Sequence, residues 1–189
     1  KYPRISRRAA THPPDISRPA TSASARLAAR TSPTCSAFSG SNSGTGNLAG
    51  LKTVAGRLAD AFAALPGAIR LVAPDPVESV DAAGHVQTAQ RGDHLHLRVR
   101  PEAPVQLLLT GHMDTVFAAD HPFQSLRWLE PGVLNGPGTA DMKAGISVIL
   151  AALKALEASP LASRVGYDVM INSDEETGSH ASAALIAEL

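Results

Sequence analysis

Apolar and polar residues change their period along this chain, and each change predicts an element. Leu48, Leu51, Val54, Leu58, Phe62 and Leu65 recur at intervals of three and four, the spacing of an amphipathic helix, and Pro66 and Gly67 end it. Residues 69–73, 77–80 and 85–90 are short runs parted by Pro74, Pro76 and Gly84, as strands and tight turns require. The segment HLHLRVR at 94–100 alternates strictly, which predicts a half-buried strand with Leu95, Leu97 and Val99 inward and His94 and His96 on its polar face. Val105 and the run Leu107, Leu108, Leu109, between Pro104 and Gly111, predict a central strand covered on both faces.

Further on, Phe123 and Trp128 are the expected anchors of a long connection, and Ile146, Ile149, Leu150, Leu153 and Leu156 share one face of a helix over 143–157. A strand at 165–172 and an alanine-rich helix at 179–189 follow. Strand and helix alternate from 105 onward, so the expected class is α/β, a mostly parallel sheet flanked by helices.

Composition divides the chain. With 189 residues, 44% of them hydrophobic and 18% charged, one sizeable core is affordable to a single domain. Residues 1–40 show no apolar period and are rich in Arg, Ser, Thr, Ala and Pro, which predicts a disordered basic tail ahead of a packed domain at 41–189. Arg7 and Arg8 form a twin-arginine pair and the acid-poor composition resembles a transit peptide, but 9–20 holds adjacent prolines and Asp15 where a signal needs an apolar segment. The run SGSNSGTG at 39–46 has the composition of a flexible joint.

The net charge of zero gives no reason to expect nucleic acid, and no apolar run is long enough to expect a membrane span. Cys35 is the only cysteine, which excludes an intramolecular disulfide and a thiolate metal cluster and is compatible with the cytoplasm.

Chemistry gathers where the apolar runs stop. His112 and Asp114, then Asp141, then Asp174, Glu175 and Glu176 all fall on loops, and the first and last groups follow predicted strands. The carboxyl ends of strands are where open α/β sheets bind ligands. Carboxylates brought together repel unless a cation or a proton neutralises them, and a mixed histidine and carboxylate set suits zinc, with cobalt or manganese as alternatives. Solvated loop acids are the competing explanation. His94 and His96 also share a face and could chelate a metal, although a polar strand face is the simpler reading; His121 and His180 sit near the other candidates and could touch substrate, with solvated loop residues the simpler reading, and Lys143 reads as an anion-steadying or solvated helix-start residue. No GxxxxGK[ST], HExxH or GxSxG pattern occurs, which argues against a nucleotide loop, a mononuclear zincin and a serine hydrolase.

GHMDTVF at 111–117, GPGTADMKAG at 136–145 and SDEETGS at 173–179 resemble, in order and spacing, three signatures of the dizinc metallopeptidase family of acetylornithine deacetylase, succinyl-diaminopimelate desuccinylase, aminoacylase and glutamate carboxypeptidase. The resemblance spans about residues 42–189, and its wording is most similar to the glutamate carboxypeptidase branch. It implies that His112 binds one zinc, Glu176 the other, and Asp141 bridges both. Asp114 would hold the far ring nitrogen of His112 and so fix its tautomer, and Glu175 would be the general base. The Asp141–Met142 bond would be cis. Such an enzyme hydrolyses the amide of N-acyl amino acids or small peptides, C-terminal glutamate among them, and works as a homodimer. The family's remaining acidic and histidine ligands, its lid or dimerisation domain and the rest of its catalytic domain fall beyond Leu189, so the expectation is an N-terminal half, weakly active or inactive alone. A non-catalytic remnant or interaction module of the same fold is the alternative.

Overall fold

The computed structural model describes residues 33–189, and expectations for the first 32 residues, the arginine pair among them, lie outside the described residues. The chain forms helix α1 (residues 33–39), α2 (Leu48–Phe62), strands β1 (Ala68–Val72), β2 (Val77–Val80), β3 (Val86–Ala89), β4 (His94–Val99), β5 (Val105–His112), β6 (Arg127–Glu130) and β7 (Val133–Asn135), then α3 (Ala144–Glu157), β8 (Val165–Asn172) and α4 (Ala183–Ala187). No helix among the described residues is long and apolar enough to cross a membrane.

Four strands make the main sheet in the order β1-β4-β8-β5. The α/β class with flanking helices is as the sequence implies, but the sheet is mixed: β1 with β4 and β4 with β8 are antiparallel, and only β5 with β8 is parallel. The reason lies in the connections. A helical crossover, α3, precedes β8 and lets it run parallel to β5, whereas β4 reaches β1 through the β2–β3 hairpin without a helix.

The leucine run is also placed differently from expectation. β5 is the edge of this sheet, and Val105, Leu107 and Leu108 are each close to half exposed. The strand covered on both faces is β8, whose residues from Gly166 to Asn172 are all buried. An apolar run reports a hydrophobic environment and not how many neighbours a strand has. His94 and His96 depart from the polar-face expectation too, each being 1% exposed. Trp128 does not anchor its connection, lying more than half exposed on the β6–β7 hairpin.

The core lies on one side of the sheet. Leu51, Val54, Leu58 and Phe62 of α2 and Ile146, Leu150 and Leu153 of α3 share one cluster with Leu95, Leu97, Val99, Tyr167, Val169 and Ile171 of the strands. Phe38 of α1 belongs to the same cluster, and Arg57 donates to the Ala37 carbonyl at 2.7 Å. The packed unit therefore starts upstream of residue 41. A lone phenylalanine among Ser, Thr and Ala carries no period, which is why composition placed it in the tail.

Residues 39–46 are not a flexible joint. Ser39 and Ser43 are fully buried and Thr45 nearly so, and Gly44 bridges to Thr115 in parallel sense. The Thr115 N–H donates to Ser43 O (3.0 Å), the Thr45 N–H to Thr115 O (3.3 Å), and the Ser43 hydroxyl to Met113 O (2.7 Å). Small residues here serve close approach, and the segment straps the chain just beyond β5.

Candidate metal centre

Because β5 and β8 are parallel and His112 pairs with Asn172, both strands deliver their following loops to the same sheet edge. His112 ends β5. Its Nδ1 lies 3.1 Å from the Asp114 carbonyl and 3.3 Å from Asp114 Oδ1, so the Nδ1 proton has acceptors and Nε2 faces outward. Nε2 sits 3.0 Å from Asp141 Oδ1 and 3.8 Å from Glu175 Oε2. Ligand atoms of His112, Glu175 and Glu176 all lie within 4.8 Å of one another.

Asp141 comes from the turn Thr139–Lys143, where the chain passes through a cis Asp141–Met142 peptide before α3 begins. Gly138 ahead of it has φ 73°, and a Cβ there would stand 3.0 Å from both Lys143 Cδ and Thr115 Cγ2. The left-handed φ favours glycine here, and an added Cβ would also crowd both neighbours.

Asp114 is fully buried and organises the acidic loop. Its Oδ2 accepts the Thr45 hydroxyl at 2.8 Å and the Glu176 N–H at 3.1 Å, while Oδ1 accepts the Glu175 N–H at 3.2 Å. The carboxylate thus contacts the histidine ring on one side and the backbone carrying both glutamates on the other. Asp174, grouped with them in sequence, faces away: it accepts from the Ala181 N–H (2.7 Å), the Ser182 hydroxyl (2.7 Å) and the Asn172 amide (3.2 Å). It closes the turn into α4 and has no place among the converging groups.

The electrostatics favour a cation. Burial lowers the affinity of His112 for its proton, but the hydrogen bonds it donates to Asp114 and Asp141 outweigh this and push the pKa up to about 9. Glu176 is raised by burial, and, although His112 opposes this, Asp114, Asp141 and Glu175 add to it by repulsion. A proton on Nε2 is the cation this donor set holds when nothing else is bound. One imidazole nitrogen with a fixed tautomer, facing carboxylates that repel one another, is a donor set that fits zinc. Asp141 and Glu175 have side chains 78% and 53% exposed, so the centre opens outward. Two clefts meet there at Thr115, Val116 and Glu176, one of about 500 Å³ beside Thr45 and Asn47, the other of about 300 Å³ beside Phe117, Phe123 and Asp141.

The other histidines do not join this centre. In His94, Nδ1 accepts the Ser173 N–H (3.3 Å) and Nε2 donates to Ala181 O (3.2 Å); in His96, Nδ1 accepts from Arg70 (3.0 Å) and Nε2 donates to Asp168 Oδ1 (2.6 Å). Both rings are saturated by protein partners, which removes them as a chelating pair. His121 and His180 are exposed. Lys143 is neither solvated nor at an anion: it is fully buried, donates to Ser41 O at 3.2 Å, and burial pulls its pKa down to about 8. Ser43, Thr45 and the buried role of Lys143 were not legible as parts of the site, since their partners are distant in sequence.

Residues 108–189 match the model of peptidase family M20/M25/M40. Carboxypeptidase G2 of Pseudomonas sp. (strain RS-16) is 38% identical over 101 residues, which are 51% of this chain and 23% of that protein. Succinyl-diaminopimelate desuccinylase 2 of Shewanella loihica (strain ATCC BAA-1088 / PV-4) is 34% identical over 97 residues, 47% of this chain and 25% of its own length. The matches thus take in about a quarter of these relatives. Among solved structures, human carnosine dipeptidase 1 superposes with a TM-score of 0.63 at 19% identity, over 87% of this chain and 36% of that one. The M20 family metallo-carboxypeptidase Sso-CP2 of Sulfolobus solfataricus gives 0.62 at 18% identity, over 84% and 34%. These two share the fold, and the likeness to peptidase family M20/M25/M40 is carried by residues 108–189.

Proposed function

We propose that this chain provides the N-terminal part of a dizinc hydrolase that cleaves the amide of N-acyl amino acids or small peptides, C-terminal glutamate among them, and that is a cytoplasmic homodimer when whole. The observation that carries the reading is His112 Nε2, held by Asp114 from behind, facing Asp141 at 3.0 Å and Glu175 at 3.8 Å. His112 and Glu176 would each hold one zinc, with Asp141 between them. When bound, zinc supplies a polarised carbonyl and an acidified water.

The protein's own groups do the rest. Glu175 is the base: it is the more exposed of the two adjacent glutamates, its carboxylate reaches toward Nε2, and its backbone is fixed by Asp114 Oδ1. It takes the proton of the attacking water and returns it to the departing nitrogen. Asp114 keeps the Nδ1–H tautomer of His112, leaving Nε2 to ligate. The two clefts either side of Val116 would receive the parts of the substrate that flank the scissile bond.

Zinc titration by calorimetry tests the metal assignment. The chain is expected to bind zinc, and Asp141→Ala to weaken that binding about 10- to 100-fold or abolish it. An unmodified chain that takes up no zinc, or an Asp141→Ala variant that binds as well, overturns the assignment. Hydrolysis of N-acyl amino acids and glutamate-ended peptides, lost in Glu175→Gln with zinc binding kept, tests the base. Zinc binding without hydrolysis is the outcome expected of the N-terminal part alone and leaves the metal assignment standing.

A further inference from the structure

We propose that Lys143 is a positioning residue for the metal centre, its buried ammonium pinning the strap at 41–45, which holds Asp114 and through it the backbone of Glu175 and Glu176. The inference rests on the metal-centre reading for its purpose, and on the following contacts for its geometry.

Lys143 has no exposed surface although it follows the exposed Asp141 by two residues. Its N–H closes the turn on Gly138 O at 2.9 Å, and its side chain passes the bare Cα of Gly138 into the interior, where Nζ donates to Ser41 O at 3.2 Å. Ser41 opens the strap. Two residues on, Ser43 grips Met113 O and the Thr115 N–H; four residues on, the Thr45 hydroxyl reaches Asp114 Oδ2 at 2.8 Å. The same Oδ2 accepts the Glu176 N–H and its neighbour Oδ1 the Glu175 N–H. One path of contacts therefore runs from the turn that presents Asp141, through the strap, to the turn that presents both glutamates. Two fully buried groups of opposite charge, Lys143 and Asp114, stand at the two ends of the strap. A buried ammonium is a costly way to fill space, and an apolar side chain of similar volume would serve folding as well or better. What an apolar replacement lacks is a donor for Ser41.

The test compares the full chain with Lys143→Met, Thr45→Val and Thr45→Ser, reading thermal stability, zinc affinity, and amide hydrogen exchange at residues 174–177 without metal. Lys143→Met is expected to keep its Tm within about 3 °C, while zinc affinity falls about 10- to 100-fold and exchange at 175 and 176 quickens about tenfold or more. Thr45→Val should do the same, and Thr45→Ser, which keeps the hydroxyl, should restore both. The double variant should be no worse than the weaker single, because the residues act along one path. Unchanged zinc affinity and unchanged exchange in Lys143→Met overturn the proposal, as does an affinity loss that merely tracks lost Tm. If Lys143→Met does not fold, unchanged exchange at 175 and 176 in Thr45→Val overturns it. If the unmodified chain binds no zinc, the metal reading fails separately, and the exchange measurement still decides the brace.

Discussion

His112 concentrates the chemistry of the site in one ring, and its charge state is measurable. In the metal-free chain its pKa stands at about 9 against the ordinary 6.5, so protonation favours the folded state. That contribution is fully present below pH 6.5 and is lost as pH rises through about 9. Thermal denaturation from pH 6 to about 10 should show this loss, and His112→Asn should flatten it. Zinc must displace the same proton, so zinc affinity is expected to rise over that window with proton release, measured by calorimetry in buffers of differing ionisation enthalpy. A pH-independent affinity would contradict the arrangement of His112 between Asp114 and Asp141. At this scale the motif residues His112, Asp114, Asp141, Glu175 and Glu176 were legible, because each signature is a local run. The separation of Asp174 from its neighbours was not: its partners Ala181 and Ser182 lie in the next turn, and nothing in SDEE distinguishes one carboxylate from another.

At the level of elements, period was informative where one face meets the core and uninformative about neighbours. α2 and α3 stand where the three-and-four spacing put them, and β4 where alternation did. The positions of β5 and β8 in the sheet depend on pairing between segments some 60 residues apart, which no local pattern encodes. The junction of α3 with β4 and β8 is held by another group that sequence did not single out. Glu157, at the end of α3, accepts from both terminal guanidinium nitrogens of Arg100, one at 3.0 Å, and from the Tyr167 hydroxyl at 2.9 Å. Arg100 hydrogen bonds, against some burial and aided by Tyr167, hold the Glu157 carboxyl below its ordinary 4.5. A depressed carboxylate stabilises the fold above its unfolded pKa and ceases to as pH falls through the folded value. Glu157→Gln is therefore expected to be less stable at pH 7, with the difference from the unmodified chain shrinking below pH 4.5. A difference that stays constant into acid would show that the charge is not what matters.

At the scale of the whole molecule, the surface feature of most consequence among the described residues is the open edge of the main sheet. β5 offers backbone donors and acceptors with Val105, Leu107 and Leu108 close to half exposed beside them. An unprotected apolar edge is a template for further pairing. The chain in isolation is expected to associate as its concentration rises, seen by sedimentation velocity. Leu108→Lys should reduce that association at a stability cost of about 0.5 kcal/mol or less. Association undiminished by this charge would move the sticky surface elsewhere, Trp128 and Leu129 on the β6–β7 hairpin being next.

The strap at 41–45 also determines where this protein can be cut. By composition, a trimmed version starting at Asn47 looks harmless, since it keeps α2 and every imidazole and carboxylate of the centre. It would nonetheless remove the hydroxyl that holds Asp114 Oδ2 and the carbonyl that receives Lys143, leaving two buried charges facing each other's side of an emptied seam. An engineer seeking the smallest zinc-binding piece should accordingly count the glycines and serines before α2 as part of the site and place the new amino terminus ahead of α1.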